Sequence, residues 1–219
     1  MTHSTPSFWL GLDLGQAQDY TALAILERHD ATPTPRTPTA APVVFQCRYL
    51  ERVQLGTPYP AIVERVQTLL STPALRGHTR LVVDATGVGR PVIDLLRAAN
   101  LAPVPVMITG GDTESQEGGY WRVPKRDLIS RLQVLLQEKA ITFAENMPHV
   151  QTLVQELLNF QVKITTSAHD TYGAWREGTH DDLVLAVALA AWAGKRWREP
   201  VLPPVQAYGT PVIHRLRSR

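Results

Sequence analysis

The sequence predicts an α/β fold, with a central mixed sheet (an antiparallel meander plus parallel strands) flanked by helices. Three observations carry this expectation. Residues 8–53 read as three apolar strands joined by turns, with no helical stretch between them. From Pro60 the pattern becomes helix, strand, helix, strand, an order that implies parallel pairing through right-handed crossovers. The C-terminal half then supplies amphipathic and alanine-rich helices able to cover a sheet.

Each element follows in order. Phe8 to Asp13 is a strand with Phe8, Leu10 and Leu12 on one face and Trp9, Gly11 and Asp13 on the other. The turn GQAQD leads into a second strand, Tyr20 to Arg28. Residues 31–42 carry four prolines and no periodicity, which predicts a stiff exposed loop, and Val43 to Val53 is the third strand. Pro60 to Leu70 is a helix, with Ile62, Val63, Val66, Leu69 and Leu70 at helical spacing. Arg80 to Asp84 is a short buried strand, Gly89 to Asn100 a helix, and Val104 to Ile108 another strand. The glycine-rich residues 109–122 predict a mobile loop or small hairpin. Two amphipathic helices follow, one with a stripe of Leu128, Ile129, Leu132, Leu135 and Leu136, the next with Val150, Leu153, Val154, Leu157 and Leu158. Between them AITF reads as a short strand, and VKITT and TYGAW bracket SAHD as a hairpin. Thr179 to Arg196 is the last long helix. The chain thus divides into a domain over 1–199 and a basic, proline-containing tail over 200–219.

Composition narrows the class. At 219 residues, with 44% apolar and 19% charged, the chain suits one well-cored domain and argues against wholesale disorder. The single Cys47 excludes an intrachain disulfide and suits a reducing compartment. No apolar run approaches the roughly 20 residues of a membrane span. The N-terminus lacks a signal-type pattern, so the expectation is a soluble, cytoplasmic protein with no membrane partner. Charge is unevenly placed. Lys195, Arg196, Arg198, Arg215, Arg217 and Arg219 face only Glu199, a net of +5 that leaves −3 for the rest of a chain totalling +2. Such a tail beside an acidic face suits a polyanionic substrate, and equally suits a solvated end.

Three acidic clusters carry the chemistry: Asp13 in FWLGLDLG, Asp84 in RLVVDATGVG, and Asp181–Asp182 in GTHDDLVLAVALAAW. The first two end apolar strands and the third opens a helix, so they can converge only at one end of the sheet. Converging carboxylates are what a two-metal phosphodiester-cleaving site requires, because hard divalent cations take oxygen ligands. Each acid also has a plainer reading. Asp13 suits a turn, though Asp is depleted in strands. Asp84 suits a strand-to-helix cap, and the glycines after it match neither a Walker loop nor a dinucleotide fingerprint. Thr179 and Asp182 have the spacing of a capping box, and the helix dipole favours acids in a first turn. Successive helical residues point about 100° apart. Asp182 shares a side with Ala186, Leu189 and Ala190, where packing on a sheet is expected, so Asp182 is favoured as direct ligand and Asp181 second. Asp19 either assists a second metal or caps the hairpin, the latter being favoured. Zinc lacks support, with no His-x-x-x-His or Cys-x-x-Cys pair. Trp121, Arg122, Lys125 and Arg126 form a basic-aromatic cluster that suits either a phosphate backbone or a solvated helix start.

In this order and spacing, FWLGLDLGQAQDYTALAIL, LVVDATGVGRPVIDLL and GTHDDLVLAVALAAW resemble the nuclease domain of large terminase subunits from tailed bacteriophages. The resemblance spans roughly residues 8–196. It implies an RNase H-like fold and a hydrolase that cuts concatemeric DNA during genome packaging, as a magnesium- or manganese-dependent endonuclease. Asp13, Asp84 and Asp182 match the catalytic acids, Asp181 adjoins them, and Asp19 matches a further acid after the first strand. Two Mg²⁺ or Mn²⁺ ions would be bound, with Asp13 bridging them. The implied partners are double-stranded DNA and, beyond it, a separate ATPase motor, a small terminase or a portal protein, in the host cytoplasm. A complete large terminase also has a motor, and no Walker-type loop occurs in this sequence. A Holliday-junction resolvase of the RuvC-like type, a hybrid-cleaving ribonuclease and a DNA-binding module with a vestigial site are the alternatives.

Overall fold

The computed structural model describes residues 7–15, 19–30, 43–87, 89–166 and 180–197. The proline-rich loop at 31–42, the segment TYGAW and the tail at 200–219 lie outside the described residues.

The opening meander consists of β1 (Ser7–Asp13), β2 (Ala22–Asp30) and β3 (Val43–Arg52), paired antiparallel in sequence order. After α1 (Tyr59–Leu70) the chain enters β4 (Thr79–Asp84), which lies parallel beside β1. α2 (Gly89–Ala98) then leads to β5 (Pro103–Thr109), parallel beside β4. The glycine-rich stretch forms a hairpin of β6 (Ser115–Glu117) and β7 (Tyr120–Pro124), whose turn is made by Gly118 and Gly119 at φ 57° and 83°. β7 pairs parallel with β5. α3 (Lys125–Gln137), β8 (Ile141–Thr142), α4 (Val150–Thr166) and α5 (Asp182–Arg196) complete the fold. The eight strands form one mixed sheet in the order β6-β7-β5-β4-β1-β2-β3-β8.

Alternation along the strands builds two cores. Phe8, Leu10, Leu12, Leu23, Ile25, Leu81 and Val83 face α1 and α2. Trp9, Ala22, Ala24, Leu26, Val82 and Val106 face α5 together with α3 and α4. α5 is apolar all round and buried from Asp182 to Gly194, as expected of a helix enclosed on every side. It lies so close to β1 that a Cβ on Gly11 would stand 1.9 Å from the Ala186 carbonyl oxygen, so only glycine fits there. No described helix is long and apolar enough to cross a membrane.

Three local expectations are corrected. VKITT is not a hairpin strand but the end of α4, which runs to Thr166. The last helix begins at Asp182 with Asp181 as its N-cap residue, and no side-chain cap bond forms there. The apolar stripe read on α4 is rotated: Val154 and Leu158 are exposed, while Glu156 is buried beside Leu153 and Phe160. Spacing alone admits either rotation of this helix. Polar partners for Glu156 at the start of α5 favour the observed one.

Candidate active site

The register of the sheet brings the strand-end acids together. Leu12 of β1 is level with Val83 of β4, so Asp13 and Asp84 are the next residues at the carboxyl ends of two adjacent parallel strands. In open α/β sheets this is where ligands gather. α5 crosses the same end of β1 and contributes Asp182 from its first turn. Asp13, Asp84 and Asp182 are the three buried aspartates of the described residues.

Local chemistry holds each of them. Asp84 Oδ1 accepts the Thr86 N–H at 2.8 Å, and Thr86 Oγ1 in turn accepts the Ile108 N–H at 2.7 Å, tying this turn to β5. Asp182 Oδ2 lies 3.3 Å from Arg52 Nη2 and 3.8 Å from His180 Nδ1. Asp181 is ion-paired with Lys125 at 2.9 Å. A cleft of about 220 Å³ opens beside Asp84, Thr86 and Lys125. Asp19 is exposed and lines a separate cleft of about 190 Å³ with Gly15, Thr21 and Tyr59.

The electrostatics are those of crowded, desolvated acids. Burial raises the Asp13 carboxyl well above its ordinary value, and repulsion from Asp84, Asp182 and Asp181 adds to it, against an opposing pull from Lys125. Burial also raises Asp84, offset by hydrogen bonding to Thr86, by the neighbouring Asp13 carboxyl and by Lys125. Asp182 is pushed up to about 6, because burial outweighs Arg52 and His180 while Asp181 and Asp19 repel it. A divalent cation would relieve this frustration, and the donors are the oxygens that hard divalent cations take. Among the described residues no three such side chains already stand as a ready cation cage. Arg52 and Lys125 engage Asp182 and Asp181 instead.

Sequence reasoning passed over two members of this neighbourhood. Glu156 of α4 is buried, accepts the Val184 N–H at 3.1 Å and pairs with Arg52. Burial pushes it up to about 7, offset by Val184 and Arg52 and reinforced by Asp182 and Asp181. Its signal was available: Glu156 occupies the helical face defined by Leu153 and Phe160. Arg52 ends the third strand two residues beyond buried Leu50. The basic-aromatic cluster, by contrast, divides. Lys125 points into the acidic group, whereas Arg122 and Arg126 stay largely exposed and pair with Glu117 at 3.6 Å and Asp112 at 3.1 Å. Trp121 packs edge-on against Trp192 and Trp197.

A mixed sheet of this topology, with acids at the ends of β1 and β4 and a helix laid across them, is an RNase H-like fold of the kind found in terminase nuclease domains. The comparisons make this particular. The chain is similar to phage large terminase subunits, being 27% identical over 183 residues to the terminase large subunit of Thermus phage G20c and equally to that of Thermus virus P23-45. Each alignment covers 84% of this chain and 31% of the relative, so the chain spans about a third of the length of the curated relatives it matches. The crystal structure of the large terminase nuclease from thermophilic phage G20c matches the fold with a TM-score of 0.54 at 24% identity, covering 84% of this chain and 81% of that one. No family model matches the chain.

Proposed function

We propose that this chain is a divalent-metal-dependent endodeoxyribonuclease that cuts concatemeric phage DNA during packaging. The observation that carries the reading is the burial of Asp13, Asp84 and Asp182 at one end of the sheet, two on adjacent parallel strand ends and one on the helix across them. Similarity to large terminase subunits supports the packaging role.

In this reading Asp13, Asp84 and Asp182 hold the ions, with Asp181 and Asp19 as further oxygen donors. Bound there, two Mg²⁺ or Mn²⁺ ions would supply Lewis acidity to the phosphodiester. Thr86 orients the Asp84 carboxylate through its N–H, and Lys125 faces the cleft where a phosphate would enter. Arg122 and Arg126, exposed on β7 and at the start of α3, follow the DNA backbone. The domain occupies 1–199 with a basic tail at 200–219. Its partners are double-stranded DNA and, in the packaging machine, an ATPase motor, small terminase or portal protein in the host cytoplasm.

The test is conversion of supercoiled plasmid to nicked and linear forms in Mn²⁺ and in Mg²⁺. Metal-dependent cutting should vanish with EDTA and in Asp84→Asn, falling by at least about a hundredfold in that variant. Cutting retained by Asp84→Asn would overturn the site. A second reading, a DNA-binding module with a vestigial site, is favoured by the ion pairs that Arg52 and Lys125 make with the acids. It requires salt-sensitive DNA binding with no cleavage in Mn²⁺.

A further inference from the structure

Arg52 lies at the end of β3, level with Ala22 of β2, which is itself level with Asp13 of β1. Asp13, Ala22 and Arg52 therefore form one row across the sheet on the α5 face, and the guanidinium reaches the acids from the side. Its Nη2 serves two carboxylates at once, in close contact with Glu156 Oε1 and at 3.3 Å from Asp182 Oδ2. The buried Nε has no hydrogen-bond partner among the described residues. A guanidinium can form two parallel bonds to one carboxylate, and here it makes that fork with neither. It is held chiefly by Glu156 and by the Tyr20 ring, 4.5 Å from Cζ to centroid.

Glu156 does not depend on Arg52 for its place. Its other oxygen accepts the Val184 N–H, two residues beyond Asp182 on the first turn of α5. The short arm of the bridge thus ends on a fixed anchor and the long arm on Asp182. A cation competing for Asp182 has only the long arm to displace.

We infer that Arg52 is a built-in counter-ion for Asp182 and that Glu156 is the anchor that keeps it from closing on Asp182, so that the pair sets the cation affinity of the site. Both are positioning residues, and the inference rests on the metal-site reading above. Two consequences have opposite sign. Without the Glu156 charge, Arg52 belongs to Asp182 alone and competes with the cation. Without Arg52, the competitor is gone.

The experiment is calorimetric titration of the full chain with Mn²⁺ alone, for the wild type, Glu156→Gln, Arg52→Gln and the double variant, with thermal melting to check that each is folded. Glu156→Gln should weaken Mn²⁺ binding by about tenfold, the lower end of what partners of ligating groups contribute. Arg52→Gln should tighten it, by about threefold for one nearby charge in a partly solvated site. In the Arg52→Gln background the Glu156→Gln effect should shrink to less than about threefold, because the two act through one contact. If Arg52→Gln does not fold, the double variant, in which Glu156 no longer carries a charge stripped of its partner, decides: it should bind Mn²⁺ more tightly than Glu156→Gln. Weaker binding by Arg52→Gln than by wild type, or a Glu156→Gln effect equal in both backgrounds, overturns the inference and leaves the nuclease reading standing. A wild-type chain that takes up no Mn²⁺ overturns both.

Discussion

The two ends of α5 use the same kinds of side chain and reach opposite balances. At the C-terminal end Arg28 donates to the Gly194 and Trp197 carbonyls at 2.7 and 2.8 Å and pairs with Asp30 at 2.6 Å. Glu114 receives Arg196, Arg131 at 3.0 Å and the Trp192 indole N–H at 3.3 Å, and Trp192 in turn meets Trp197 edge to face. At the N-terminal end Asp13, Asp84, Asp181, Asp182 and Glu156 are crowded around Arg52 and Lys125. The helix dipole favours cations at one end and acids at the other, so both arrangements suit it. The difference lies in the balance of charge. At the C-terminal end every named acid is paired with an arginine, and these pairs lock the helix onto the sheet. The acid excess at the N-terminal end costs stability and is useful only where a cation can be taken up.

The sharpest way to break this comparison is Asp13→Asn. Cleavage should fall by at least about a hundredfold. The metal-free protein should meanwhile gain on the order of 1 kcal/mol, because a buried, repelled carboxylate is removed. Plasmid cutting and urea unfolding in EDTA measure the two effects. A variant that loses stability along with activity would mean that Asp13 is a structural acid.

Arg28→Met should do the reverse at the other end. Removing a buried cation that satisfies two helix-end carbonyls should cost roughly 3 kcal/mol. Mn²⁺ affinity, measured below the melting temperature, should be unchanged. A shift in that affinity would show that the two ends are coupled through the helix.

The smallest effect concerns pH. Asp182 and Glu156 have ordinary values of 3.8 and 4.5 and rise to about 6 and about 7 in the folded protein. A folded value above the unfolded one means that protonation favours the native state. Their contribution is therefore fully present below about pH 4 and is lost as pH climbs through 6 and 7. In EDTA the melting temperature should decline between pH 5 and about 8, and saturating Mn²⁺ should flatten the decline. A metal-free melting temperature that rises across this range would contradict the crowding of acids at the N-terminal end.

Much of the scaffold was legible because it depends on neighbours in sequence. Alternation assigned Trp9, Gly11 and Asp13 to one face of β1, and the structure places α5 against that face. The alanine-rich run marked α5 as a helix able to pack on the sheet, and of the two readings open for the glycine-rich stretch, a mobile loop or a small hairpin, the structure shows the hairpin. Asp13 and Asp84 stood out because a carboxylate ending an apolar run is costly without a purpose, and Asp182 because it opens the alanine-rich helix on the side expected to pack against the sheet. Periodicity could not say which side of α4 turns inward, since rotating the helix leaves its spacing unchanged. Neither could it separate Lys125, which enters the acidic group, from Arg126 beside it, which pairs with Asp112.

What the sequence by itself determined is the kind of most elements, the VKITT end of α4 excepted, and the acids they carry, because helix and strand periods are local properties of the chain. Only the tertiary structure decided that Arg52 stands between Glu156 and Asp182, residues 104 and 130 positions away. No local pattern encodes such a meeting. It arises from the order of strands in the sheet and from the rotation at which α4 settles against α5, both chosen by burial and by the satisfaction of charge over the whole fold.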